Sequence, residues 1–134
     1  MNIDQTLQQA ITHHQAGELE DAEKRYRSIL TKEPKHADAN HHLGVLLKQG
    51  DKADIALPFF KTALESNPNQ GRFWVSYIDT LIYLGQLDSA RSVLKQGQSK
   101  GLKGDGVDQL VARLNSKPKA TTTTQAPSKA INPA

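Results

Sequence analysis

The chain has 134 residues, room for one domain plus a tail, with a formal net charge of +3 and no cysteine. Without cysteine, disulfides and thiolate metal sites are excluded, and a reducing, cytoplasmic setting is the expected one. The start "MNIDQTLQQAITHHQAG" lacks the basic and apolar regions of a signal peptide, and no apolar run approaches the roughly 20 residues of a membrane span, so no membrane insertion is expected.

Taken in chain order, three phrases repeat: "GELEDAEKRYRSIL" from Gly17, "GDKADIALPFFKTAL" from Gly50 and "GQLDSARSVL" from Gly85. A slide of 34 residues brings Ala22, Ala56 and Ala90 into register, and with them Tyr26, Phe60 and Leu94. Pro34 falls on Pro68, with Leu102 in the third place. Gly17 falls on Gly85, while Gly50 comes one residue early. Units at 3–36, 37–70 and 71–104 each read as two helices. In the second, Leu43, Leu46 and Leu47 form a stripe at helical spacing. Gly50 is expected to end that helix in the left-handed conformation, and Asp51 or Asp54 to cap the next. The next helix carries Ala56, Phe60, Ala63 and Leu64 on one face. Pro58 lies near its start and predicts a kink if the helix begins near Lys52. Pro68 stops it. In the third unit, Trp74, Tyr77, Ile78 and Leu81 share a face.

After the third unit, "DGVDQLVARLN" predicts a seventh helix at about 105–115, capped by Asp105, with Val107, Leu110, Val111 and Leu114 on its apolar side. Its expected role is to cover the end of the stack. Residues 116–134, rich in Thr, Ala, Pro and Lys, are expected to be a disordered tail or a linker. Charge is uneven. Residues 1–70 carry eight Lys/Arg and ten Asp/Glu, and residues 71–134 carry nine and four. The basic surplus is not a clustered face, so no nucleic-acid partner is expected.

These residues resemble the tetratricopeptide repeat, a helix–turn–helix unit of 34 residues. Its small second-helix residue matches Ala22, Ala56 and Ala90. Its Leu-Gly pair matches Leu43-Gly44, its opening Trp matches Trp74, and its closing Pro matches Pro34 and Pro68. The first unit departs at Thr6 and at Gln9-Ala10. The third departs at Ile78, at Gly97 and in its "KGLKGDG" ending. The resemblance covers about three quarters of the chain. It implies an all-α, right-handed solenoid of three helix–turn–helix repeats with a C-terminal capping helix, together making a domain over 1–115.

Chemistry is sparse. His13, His14, His41 and His42 could supply metal ligands, but zinc wants three or four convergent donors, so no metal is expected. Neither Ser28 nor Ser76 belongs to a triad, and "GLKGDG" lacks the ending of a P-loop. No enzymatic activity and no cofactor are expected. The resemblance implies instead a concave groove lined by first-helix residues that holds a protein or peptide partner. The candidates are Gln8, Ile11 and His14, then Asp38, His41, His42, Val45 and Lys48, then Arg72, Val75, Ser76, Asp79 and Tyr83. Chaperone-binding members hold a peptide carboxylate at positions that match Leu7, Ile11, His42, Arg72 and Ser76. Only Arg72 is compatible, so that clamp is not expected. Residues 43–97 also resemble the modules that precede bacterial glycosyltransferases and sulfotransferases, which implies a substrate-presenting or targeting region as an alternative to a free adaptor. Self-assembly of monomers through an exposed solenoid end is a third reading.

Overall fold

The computed structural model describes residues 2–116, and the tail expected at 116–134 lies beyond them from Lys117 onward. Seven helices follow in order: α1 (Ile3–Gln15), α2 (Leu19–Lys32), α3 (Ala37–Gln49), α4 (Ala53–Ser66), α5 (Gly71–Tyr83), α6 (Leu87–Ser99) and α7 (Asp105–Asn115). They form an all-α fold of three helix–turn–helix repeats followed by a seventh helix. The described residues divide into two compact units, 2–73 and 74–116, with the boundary inside α5.

In the first unit, α1 pairs with α2, α3 pairs with α4, and α2 also packs on α3. Small residues set these distances, since helices approach only as closely as their contact side chains allow. Ala10, Ala22, Ala56 and Ala63 are fully buried. At Gly44 a Cβ would stand only 2.7 Å from the Phe60 ring, so this glycine makes room for that aromatic. Tyr26, Ile29, Leu43 and Phe60 fill the remaining core. Asn40 is buried at the α2–α3 corner, and its amide donates to the carbonyls of Pro34 and His36 at 3.0 and 2.9 Å.

The turns inside the repeats obey the 34-residue register more strictly than the glycines do. Gly17 and Gly85 have φ of 81° and 78°, and the residue between them in register, Asp51, takes φ 65°. Gly50, expected in that conformation, has φ −86°. Asp51 therefore shapes the turn, and neither it nor Asp54 caps α4, whose N-cap position is Lys52 without a side-chain bond. Asparagine and aspartate tolerate this region better than other residues with a Cβ, which is how the turn survives the displaced glycine. Pro58 is the sixth residue of α4, and the helix continues through it to Ser66. The Asp54 carbonyl, four residues back, thus lacks its usual backbone donor.

In the second unit, Trp74, Ile78, Leu81, Ala90 and Leu94 are buried from α5 and α6, and Val107, Leu110 and Leu114 from α7. Ile78 stands where the second repeat has Gly44, and Leu94 stands where it has Phe60, so a larger residue on one helix accompanies a smaller one on the other. At Gly97 a Cβ would meet Leu102 at 2.7 Å and Trp74 at 3.0 Å, which explains glycine at a usual alanine position. The N-cap of α7 is Gly104, with φ 124°, not the expected Asp105. Asp105 and Asp108 instead place negative charge in the first turn, against the positive end of the helix dipole. Arg91 on α6 donates to the Leu114 carbonyl at 3.0 Å and so satisfies one of the orphan acceptors at the end of α7.

Two stability measurements check this packing. Ala56→Leu should lower the unfolding free energy by about 1–3 kcal/mol, read by denaturant melts, because no space exists at that contact. At the left-handed turn, Asp51→Gly should be at least as stable as the parent and Asp51→Val clearly less stable, since a β-branched residue resists φ near 65°.

Candidate partner-binding face

The first helices of the first unit carry a chain of rings. His14, half-buried on α1, contacts Tyr26 of α2 edge-on at 5.9 Å between centroids. Tyr26 stacks on His42 of α3 at 5.8 Å, nearly parallel. His42 meets His41 at 5.9 Å, and His41 meets Phe73 at 5.0 Å and Phe60 at 5.6 Å. The Arg72 guanidinium lies over Phe73 at 5.0 Å and donates to Asp38 at 2.7 Å. A ladder of rings thus runs from α1 to the start of α5, ending in an exposed ion pair.

Two side-chain hydrogen bonds hold the His14 ring. Its Nε2 lies 2.7 Å from the side-chain oxygen of Gln49 on α3. Its Nδ1 lies 3.1 Å from the Tyr26 hydroxyl, within hydrogen-bond distance. Burial pushes the Tyr26 hydroxyl up to about 12, which keeps its proton available. Burial also brings His41 down to about 4, helped by the charge of Arg72 and by His42 and opposed by Asp38. His42 is lowered for the same leading reason, with Arg72 and His14 against a proton and Asp38 in its favour.

Of the residues expected to line a groove, His14, Asp38, His42 and Arg72 come together here. His41 is 7% exposed and lies beneath the face, in the core. Ile11, Val45 and Lys48 are half-buried. Gln8 lines an open depression at the start of α1 with Asn2, Asp4, Gln5 and Gln9. In the second unit, Val75 and Ser76 are half-buried, Tyr83 is 60% exposed, and Asp79 accepts a close ion-paired hydrogen bond from Arg113 of α7.

Three participants escaped the sequence reading. Arg113 stands 34 residues after Asp79, as Arg72 does after Asp38, so the register itself could have paired them. The Tyr26 hydroxyl leaves no mark in the register, because the equivalent places hold the apolar Phe60 and Leu94. Phe73 left no signal, because adjacent Trp74 carries the family match. Among the described residues, no group of three or more His, Asp or Glu side chains could hold a metal ion. No helix there is long and apolar enough to cross a membrane.

Residues 46–114 match the family model of the tetratricopeptide repeat. The chain belongs to the tetratricopeptide repeat family. Solved structures with this fold align over most of its length. The repeat domain of yeast Sti1 described as TPR2B, in complex with pHsp70, is 17% identical with a TM-score of 0.73, over 85% of this chain and 96% of that one. The type III secretion chaperone SycD of Yersinia enterocolitica, in complex with a peptide of the translocator YopD, is 21% identical with a TM-score of 0.69, over 84% and 86% of the two chains. PilF of Pseudomonas aeruginosa is 20% identical with a TM-score of 0.72, over 86% of this chain and 53% of its own. Likeness at these identities shows the repeat fold alone. No curated protein matches the chain in sequence.

The buried hydroxyl offers a direct check of the ladder. Tyr26→Phe keeps the ring and removes one hydrogen bond to His14, so thermal or urea unfolding should show a loss of about 0.5–1.5 kcal/mol.

Proposed function

We propose that this tetratricopeptide repeat protein is a non-catalytic adaptor whose first-helix faces hold an extended segment or a helix of a partner protein. The observation that carries this reading is the ring ladder His14–Tyr26–His42 ending in the Asp38–Arg72 pair. Tyr26 is fully buried and supports the ladder from beneath, so the face itself offers the half-buried rings of His14 and His42 and the exposed Asp38–Arg72 pair, a mixture that takes a peptide through shape and a few hydrogen bonds. Proteins of the same fold were solved with a peptide or partner in place, which supports the class of ligand without naming this one. In the second unit, Val75, Ser76, Asp79 and Tyr83 are proposed as contacts from α5. Asp79 is already engaged by Arg113, so a partner there meets a neutralised pair and not a bare carboxylate. With Arg72 the only residue suited to a carboxylate clamp, recognition of a peptide's C-terminal carboxylate is not part of this reading.

A second reading rests on the resemblance of residues 43–97 to modules that precede bacterial transferases and on the linker-like composition of 116–134. Under it, the same faces present substrate or direct targeting for a separate catalytic domain. Continuation of the reading frame past Ala134 into such a domain would favour it, and a stop codon would favour the free adaptor.

The adaptor reading is tested by affinity capture with the tagged chain, followed by titration of the purified partner. His42→Ala and Arg72→Ala should each weaken binding about ten-fold or more, while Arg72→Ala changes stability by at most about 1 kcal/mol because its ion pair is exposed. Undiminished affinity in both variants would remove the first unit's face as the binding surface.

A further inference from the structure

The outer side of α4 departs from the pattern of its sister helices. Ile55, Pro58, Phe59 and Thr62 follow one another at three, one and three residues, which puts them on one stripe of the helix. The 34-residue register sets Asp21, Lys24, Arg25 and Ser28 at these places on α2, and on α6 three of the four are serine or glutamine. The stripe on α4 is open. Ile55 is 47% exposed, Pro58 is exposed, and Phe59 and Thr62 are half-buried. Ala56, Phe60 and Ala63, on the other side of the helix, supply its core contacts. Polar atoms on the stripe are few. Proline at 58 has no N–H to present. The Thr62 hydroxyl donates to the Pro58 carbonyl at 3.0 Å. Arg27 of α2, held by Glu23 at 2.8 Å, lies over the Phe59 ring at 5.7 Å and bounds the stripe on that side.

The stripe reads alike from both ends. Lys52 stands three residues before Ile55, and Glu65 stands three residues after Thr62. Both are exposed, and among the described residues neither has an ion-pair partner. A second α4 laid antiparallel, with a two-fold axis between Pro58 and Phe59, meets the first in register. Ile55 then faces Thr62 of the other copy, Pro58 faces Phe59, and Lys52 faces Glu65. One operation thus sets opposite charges together at both ends of the contact, the self-complementarity that an isologous interface requires. A parallel arrangement sets Lys52 against Lys52 and Glu65 against Glu65. This order of apolar centre and unlike ends selects a second copy of the chain over a partner of unrelated sequence.

We propose that this face of α4 pairs with the same face of a second copy, making an antiparallel, two-fold homodimer. One pair of helices of 14 residues each gives an interface at the small, transient end of the size range, so the dimer forms at high concentration and dissociates on dilution. The first helices α1 and α3 take no part in the contact. Under the adaptor reading, the dimer offers two partner-binding faces, and a bivalent partner gains from their effective concentration. The pairing itself does not rest on that reading.

Sedimentation of the full chain from micromolar to millimolar concentration tests the pairing without any partner. Monomer should give way to dimer as concentration rises. Ile55→Glu should raise the dissociation constant at least about ten-fold, because it places a carboxylate among apolar side chains twice in each dimer. At low salt, Lys52→Glu and Glu65→Lys should each weaken self-association several-fold, since like charges then face one another. Mixing these two variants should restore association, because the two altered chains oppose unlike charges at both ends. The charge variants keep the test decisive if Ile55→Glu is unstable. The chain has no cysteine, so copies carrying Ile55→Cys and Thr62→Cys can be mixed and oxidised. Disulfides should join the two variants in preference to either with itself. Monomer at millimolar concentration, unchanged association in Ile55→Glu, no recovery on mixing, or a predominance of self-linked Ile55→Cys chains would overturn the pairing. The His42→Ala and Arg72→Ala captures report on the first-helix face alone, so the two ideas fail independently.

Discussion

Phe60 can occupy the centre of the first unit because residue 44 has no side chain. That single allowance determines how closely α3 and α4 approach, since a Cβ at 44 would sit inside the ring's van der Waals envelope. The buried ring then forms one wall around His41, with Phe73 as another. His41 in turn meets its neighbour His42 edge-on, His42 stacks on Tyr26, and Tyr26 reaches His14 through its hydroxyl. The polar face therefore inherits its geometry from a contact in the core. A chain with a larger residue at 44 and a smaller one at 60, as the third repeat has with Ile78 and Leu94, keeps the hairpin but has no ring there to continue the ladder.

Much of the fold could be read from spacing alone. The alanines at 22, 56 and 90 identified the close contacts, and all three are fully buried. What spacing could not decide was local chemistry. Gly50 looked like the left-handed residue because glycine adopts that conformation most readily, yet the register placed it at Asp51. Repeat geometry outweighed residue preference there, by an amount on the order of the 1–2 kcal/mol that separates the two conformations for a residue with a Cβ. At α7 the reverse occurred, and Gly104 took the position at which aspartate was expected to cap.

The candidate face was legible in outline and obscure in detail for a related reason. Register says which way a first-helix residue points, and it brought His14, Asp38, His42 and Arg72 into one list. It does not say how deep a side chain sits or what lies beside it, and His41 is in the core because Phe60 and Phe73 close over it. Hydroxyls and guanidiniums arriving from other helices, such as those of Tyr26 and Arg113, belong to tertiary structure. Under the proposed adaptor reading, such a face would discriminate by shape and hydrogen bonding more than by net charge. Asp38 and Asp79 each arrive with an arginine attached, so charges that a sequence count would offer to a ligand are already spent within the protein.

Those two pairs share a property with implications for how such a chain can change over generations. In each, donor and acceptor stand 34 residues apart at equivalent places in successive first helices. Arg113 occupies in α7 the place that Asp79 occupies in α5, so α7 carries the address of a further first helix. A genetic event that adds material after this helix leaves the Asp79–Arg113 bond intact. A deletion or insertion between the partners that is out of step with the repeat strands a carboxylate on one side and a cation on the other. The ion pairs thus keep step with the 34-residue repeat, a spacing that whole-repeat changes preserve and fractions of one do not.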